Sequence, residues 1–283
     1  MINGDSDLCI GESTRVLAFQ SLSINSTLIF ASFSHDAAPS ESVISSWTTE
    51  KGKVQLRAIA TILQKDTSAI VTKKVSGIDS VALLDKKNYA SYGGRFEMSI
   101  VKQMIKNAGG VGDVNEVLPP KLDCFDAVLR EEADATWVFM GWEGIQAKRD
   151  NIPLNVFSLS DSAVPYGYTP ILLAHPKYCD GSDESNTLLL RQFLEVTARA
   201  YTYAAEHPEE AADALLTVSN HPSLLKCGRD FIVESQNYLS DGGHYMSSSE
   251  TWGIMDPKRW SDFVDWLFAN KCILARDGSV LLR

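Results

Sequence analysis

Short apolar, β-prone runs alternate with stretches of helical periodicity along most of the chain, a rhythm that predicts an α/β fold with largely parallel sheets covered by helices. Strands are expected over residues 7–11, 54–62, 69–73, 88–92, 134–140, 154–159 and 170–175. A helix starting near Ser13 follows the first of them. The Ser/Thr-rich stretch 32–53 has little apolar periodicity and reads as a loop or insertion.

The C-terminal third changes character and reads as mostly helical. Residues 188–206 carry Phe193, Val196, Ala200, Tyr201 and Ala204 on one stripe. His207-Pro208-Glu209-Glu210 then ends that helix and starts another, with proline at the first helical position and acids in the first turn. The last helix opens in the same way. Asp256 caps it, Pro257 sits in its first turn, and Trp260, Phe263, Val264, Leu267 and Phe268 make an apolar face that belongs to the core.

Three segments carry candidate chemistry. Residues 88–97, Asn-Tyr-Ala-Ser-Tyr-Gly-Gly-Arg-Phe-Glu, form a short strand that breaks at paired glycines and opens an amphipathic helix. Glycine lets the backbone turn tightly, and the N–H groups at a helix start point at whatever sits before them. Tyr92, Gly93, Gly94, Arg95, Phe96 and Glu97 are therefore expected to line a ligand site, although a plain β–α turn has the same pattern. Residues 134–144 read as a buried strand that presents Trp142 and Glu143 at the carboxyl end of the sheet, where open α/β folds bind ligands. The indole offers a stacking face, and the carboxylate can hydrogen-bond an exocyclic amine or a ring nitrogen; a packed Trp and a solvated Glu are the plain alternative. Tyr166 and Tyr168 flank Gly167 between two prolines, a rigid aromatic wall for an aromatic or cationic ligand, or simple hinge packing.

Cys9-Ile10-Gly11-Glu12-Ser13-Thr14-Arg15 comes close to the nucleophile elbow G-x-S-x-G, with Asp241 and His244 as conceivable triad partners. Arg15, however, stands where strand and helix need a small residue. Ser13 is better read as a helix N-cap whose hydroxyl and neighbouring amides face a polar ligand. Histidines 35, 175, 207, 221 and 244 fall at no metal-ligand spacing, so no metal site is expected.

Composition narrows the classes. A chain of 283 residues can bury a substantial core and suggests two domains or one large one. A net charge of -10 and a pI near 5.0, with the basic residues scattered, argue against nucleic acid and anionic membranes as partners. No apolar run reaches the ~20 residues that a membrane helix needs, so no membrane insertion is expected. The first residues show neither the basic nor the apolar region of a secretory signal. Cys9, Cys124, Cys179, Cys227 and Cys272 form no C-x-x-C pair and read as reduced thiols, which places the chain in the cytoplasm as the sequence stands.

Taken in order, the segments 4–11, 60–71, 92–97, 134–144, 204–212 and Trp252-Gly253 resemble the substrate-binding proteins of the type 2 periplasmic-binding fold. The branch they resemble includes thiamine-pyrimidine precursor binders, sulfonate binders and the eukaryotic thiamine pyrimidine synthase. The resemblance spans nearly the whole chain. It implies a two-lobed α/β architecture with mixed, mostly parallel sheets flanked by helices. Residues 1–85 and 174–283 would form the first lobe and 86–173 the second, closing over a small molecule. It also implies that the Gly94–Glu97 turn sits where the synthase branch holds a phosphate, and that Trp142, Glu143, Tyr166 and Tyr168 line the same cleft.

Two departures shape the functional expectation. The synthase branch carries a pyridoxal-phosphate lysine and a reactive histidine where this chain has Gly11 and Arg15, and a cysteine-rich iron motif near 164–170, where this chain has no cysteine. Relatives also begin well before the strand matched by 7–11, so a fragment of a longer reading frame is expected, and an extracytoplasmic location if a signal has been lost with it. The expectation is a non-enzymatic binding protein without cofactor, taking an aminopyrimidine or similar nitrogen heterocycle related to thiamine precursors and partnered by a membrane transporter. The alternative is a synthase-like enzyme with altered catalytic residues, which alone would call for pyridoxal phosphate and iron.

Overall fold

The computed structural model describes residues 37–48, 55–94, 96–120, 123–219 and 222–273. The expected strand 7–11, the helix near Ser13, and Ser13 and Arg95 themselves lie outside these residues. In chain order the elements are β1 (Ala37–Ala38), α1 (Ser40–Thr48), β2 (Arg57–Thr61), β3 (Ser68–Lys73), β4 (Asn88–Ala90), α2 (Glu97–Asn107), β5 (Asn115–Val117), α3 (Cys124–Leu129) and β6 (Ala135–Phe139). There follow α4 (Ile145–Arg149), β7 (Leu154–Ser158), β8 (Ile171–Ala174), α5 (Glu184–Glu206), α6 (Pro208–Val218), α7 (Pro222–Cys227), α8 (Arg229–Asp241) and α9 (Pro257–Ala269). Every expected strand that falls on described residues has a counterpart.

Two compact units divide the chain. The first holds the described residues up to Lys65 together with Gly167–Pro257, and the second holds Asp66–Tyr166 and Lys258–Ile273. Within the described residues the chain passes between them at Lys65/Asp66, Tyr166/Gly167 and Pro257/Lys258, whereas the sequence reading sets the changes at 85/86 and 173/174. The stretch in question at the first boundary contains β3, a strand of the second unit's sheet.

In the first unit a small sheet of order β1-β8-β2 is antiparallel throughout. Its core joins Ala60, Ile62, Leu63 and Leu172 to Tyr201, Tyr245 and Trp252, with the Tyr201 and Trp252 rings stacked at 4.8 Å. On α5 the buried positions are Tyr201 and Ala204, Phe193 packs partly against the core, and Val196 is exposed. The helix stops at Glu206 and α6 starts at Pro208, as the proline and acids dictate. Residues 40–48 correct the expectation of a loop. They form α1, anchored by buried Ile44, by the Ser40 amide donating to the Tyr168 carbonyl at 2.8 Å, and by the Trp47 indole donating to the Leu56 carbonyl at 2.9 Å. A helix that buries one isoleucine leaves no periodic signature in the sequence.

The second unit holds a five-stranded sheet of order β5-β4-β6-β3-β7. Helices α2, α3 and α4 connect strands that run in one direction, as crossover connections require. β3 alone runs against them, and because it lies between β6 and β7 both of its ladders are antiparallel. The sheets are therefore mixed, but among the described residues antiparallel ladders outnumber parallel ones, which corrects the expectation of mostly parallel pairing. β3 is the most buried strand, with Ala69, Ile70 and Val71 fully covered. β5 escaped the sequence reading because Asn115 and Glu116 are exposed on an edge strand with no apolar alternation. No described helix is long and apolar enough to cross a membrane.

Candidate functional site

Parallel strands β4 and β6 end, and antiparallel β3 begins, at one edge of the second unit's sheet. That topology brings together three short segments: 91–97, 140–144 and 66–68. Their polar groups converge at strand ends, where side chains and backbone ends are not consumed by the ladder.

In the first segment Gly93 takes φ +70°, a left-handed conformation that glycine adopts without a Cβ penalty. Glu97 is buried and reaches back into this turn. Its carboxylate accepts from the Tyr89 hydroxyl at 3.0 Å, the Ser91 hydroxyl at 3.2 Å, the Tyr92 amide at 3.1 Å and the Gly94 amide at 3.2 Å. The Gly93 amide donates to Ser91 Oγ at 2.9 Å. The amides that the sequence reading offers to a ligand are thus engaged inside the turn, and the chain's own carboxylate stands where an anion would. Burial raises the Glu97 carboxyl above the usual range, against the pull of its hydrogen bonds from the Gly94 amide, Tyr89, the Tyr92 amide and Ser91. Burial and the adjacent Glu97 charge together push the Tyr89 hydroxyl up, and the same two causes, in the same order, push the Cys124 thiol up to about 12. Phe96 is a core residue, and Tyr92 packs partly against Ala90, Cys124, Ala127, Val128 and Ala133.

The phosphate of pyridoxal phosphate does not fit this arrangement. A second anion would meet amides already paired with Glu97 and the repulsion of its charge. Among the described residues, no group of three or more His, Cys, Asp or Glu is placed to hold a metal ion.

The second segment, Met140–Gly144, is a π-helical turn between β6 and α4, a geometry frequent at functional sites. The Met140 amide donates to the Thr67 carbonyl at 2.8 Å and ties this turn to the start of β3. Glu143 is buried and Oε2 accepts the Phe139 amide at 3.1 Å, while Trp142 is half-buried. A Cβ at Gly144 would lie 2.7 Å from Met140 Cε, so glycine there lets the turn close on itself.

The third segment carries no candidate chemistry in the sequence reading. The Ser68 amide donates to Asp66 Oδ1 at 2.9 Å, while Asp66 Oδ2 and Ser68 Oγ are buried without a hydrogen-bond partner. Burial raises the Asp66 carboxyl, with the nearby Ser68 hydroxyl, the hydrogen bond from the Ser68 amide and the Arg259 charge pulling the other way. The available signal was the polar run Asp66-Thr67-Ser68 set directly before the apolar strand 69–71.

The two tyrosines are placed in different units. Tyr166 belongs to the core of the second, its ring edge-on to Trp137 at 5.6 Å and to Phe263 at 5.2 Å, with its carbonyl accepting from Arg259 Nε at 3.2 Å. Tyr168 lies in the first, buried, with its hydroxyl accepting the Asp256 amide at 2.8 Å and its amide donating to Ser40 Oγ at 3.2 Å. His244, the conceivable triad base, has Nδ1 3.0 Å from the Lys65 carbonyl and its ring stacked on Tyr238, so that nitrogen is committed to the backbone.

Comparison with known proteins gives a consistent picture. A family described as NMT1/THI5 like matches residues 36–211, more than half of the chain. The formylaminopyrimidine-binding protein of Halalkalibacterium halodurans is 23% identical over 175 residues, 60% of this chain and 50% of that protein, so the chain spans about half the length of this curated relative. Among solved structures, the periplasmic aliphatic sulphonate binding protein SsuA from Escherichia coli matches with a TM-score of 0.59 at 13% identity over 84% of this chain and 71% of that one. The alkanesulfonate-binding protein SsuA from Xanthomonas axonopodis pv. citri, bound to MOPS, matches with a TM-score of 0.59 at 12% identity over 85% of this chain and 76% of that one. At such identities these likenesses establish the fold, that of type 2 periplasmic binding proteins, and not the ligand.

Proposed function

The chain belongs to the NMT1/THI5-like family, and from that premise we propose that it is the small-molecule-binding component of an ABC-type importer, taking a thiamine-pyrimidine precursor or a related amino-substituted nitrogen heterocycle. The observation that carries this reading is the acidic character of the sheet edge. Glu97 fills the glycine turn, and buried Glu143 and partly exposed Asp66 stand on the two neighbouring segments beside the half-buried Trp142. An edge of carboxylates with an indole suits a planar ring bearing N–H groups, and it disfavours a sulfonate or phosphate. The name of the curated relative points to the same ligand class. The synthase-like alternative is disfavoured by Gly11 and Arg15 in place of its lysine and histidine. In this reading the protein works outside the cytoplasm and hands its ligand to a membrane transporter.

A thermal-shift series tests the reading. Hydroxymethylpyrimidine and its formylamino analogue are expected to raise the melting temperature, by an increment that corresponds to about 2.7 kcal/mol at 100 times Kd. Taurine and MOPS are expected to leave it unchanged. Stabilisation by the sulfonates alone would overturn the assignment.

A further inference from the structure

We propose that Asp66 Oδ2 and Ser68 Oγ are an acceptor and donor pair that reads the amidine-like edge of the ligand, an exocyclic amine beside an unprotonated ring nitrogen. The inference rests on the heterocycle-binding function proposed above and names the residues that select the edge.

Buried polar atoms almost always have partners, and each exception asks for an explanation. Here two exceptions stand two residues apart on the same short segment. Their surroundings are fixed rather than loose. Asp66 Oδ1 is held by the Ser68 amide at 2.9 Å, Thr67 is held by the Met140 amide at 2.8 Å, and Ser68 pairs with Phe139 at the end of β6. The Ser68 hydroxyl lies close enough to the Asp66 carboxyl to favour its charge but is not aligned for a hydrogen bond, so Oδ2 and Oγ are completed by a group that bridges them from outside the segment. Ser68 is 4% exposed, yet Asp66 is partly exposed, so the pair lies just under the surface and not in the centre of the core.

The chemistry of the two atoms is complementary to one pattern. An ionised carboxylate only accepts, and a hydroxyl donates one hydrogen. A group that donates from an amine to Asp66 Oδ2 and accepts at an adjacent ring nitrogen from the Ser68 hydroxyl satisfies both at once. A 4-aminopyrimidine presents that edge. A sulfonate presents only acceptors and would leave the carboxylate facing like charge. Preorganised polar groups that lack partners until the ligand arrives also discriminate strongly against analogues that cannot complete them.

The test compares wild type, D66N and S68A with two compounds, hydroxymethylpyrimidine and the edge-only fragment 2-aminopyridine, and records the unliganded melting temperature of each protein. The proposal expects 2-aminopyridine to bind wild type and to weaken at least tenfold in both variants. It also expects unliganded D66N to melt at or above wild type and unliganded S68A to melt within a few degrees of it, because neither Oδ2 nor Oγ makes a hydrogen bond within the chain. A fragment that wild type ignores, or that all three proteins bind equally, overturns the proposal, as does a fall of several degrees in the unliganded melting temperature of both variants. If the fragment behaves as expected but hydroxymethylpyrimidine does not bind wild type, the edge-reading pair stands and the thiamine-precursor reading falls.

Discussion

The Tyr89 hydroxyl donates to Glu97 Oε1 at 3.0 Å, so the buried phenol of a central strand and the buried acid of the following helix close the glycine turn between them. The spacing is that of the acidic half of a capping box, with Glu97 reaching back three residues to the Gly94 amide. The turn is thereby complete without a ligand.

Replacing Glu97 by Gln is expected to destabilise the second unit. The amide nitrogen of Gln would face donors where a carboxylate oxygen now accepts, and each buried donor left unpaired costs about 1–3 kcal/mol. Y89F removes one donor and leaves the carboxylate with its other partners, so its cost should be smaller, about 1 kcal/mol. Urea unfolding at constant m-value measures both. An E97Q protein as stable as wild type would contradict the account of the turn.

The Asp66 carboxyl gives a pH dependence of definite sign. Burial raises it above its ordinary value of 3.8, so the folded chain holds this proton more tightly than the unfolded chain does. Its contribution to stability is complete below 3.8 and is lost as the pH rises through the raised value. D66N carries no such loss. Its melting temperature should match wild type at the acid end and exceed it at neutral pH, the gap opening in the window above 3.8. Melting curves of both proteins from acid to neutral pH decide this, and a gap that narrows as the pH rises would contradict it.

Tyr166 and Trp142 should separate stability from binding. Tyr166 is wedged between Trp137 and Phe263, and Y166A should cost about 3–5 kcal/mol, the range for large aromatic truncations in a core. Trp142 is half-buried on the π-turn, and W142A should cost less in unfolding free energy while lowering heterocycle affinity about tenfold or more. Unfolding and titration of the two variants check the contrast. A W142A protein that binds as wild type does would remove the indole from the site.

Much of this was legible in the chain. Proline and acids at 207–210 mark the break between α5 and α6, and the apolar runs mark β2, β3, β4, β6, β7 and β8, because these signals are local. Strand direction was not legible, since β3 enters its sheet from the other unit and no local pattern records that. α1 was hidden by its serines and β5 by its exposed edge. Within the site, the position of the glycine turn could be read but its occupancy could not, because residue type does not say whether Glu97 faces solvent or turns back on the amides. Tyr166 reads as a ligand wall or as hinge packing, because an aromatic side chain between prolines looks the same whether it faces a cleft or fills a core.

Isothermal titration of the full chain with hydroxymethylpyrimidine, repeated with taurine and MOPS as competitors, tests the central claim most directly. The account predicts saturable one-to-one binding of the pyrimidine that neither sulfonate displaces. Binding of a sulfonate at equal or higher affinity, with the pyrimidine silent, would contradict it.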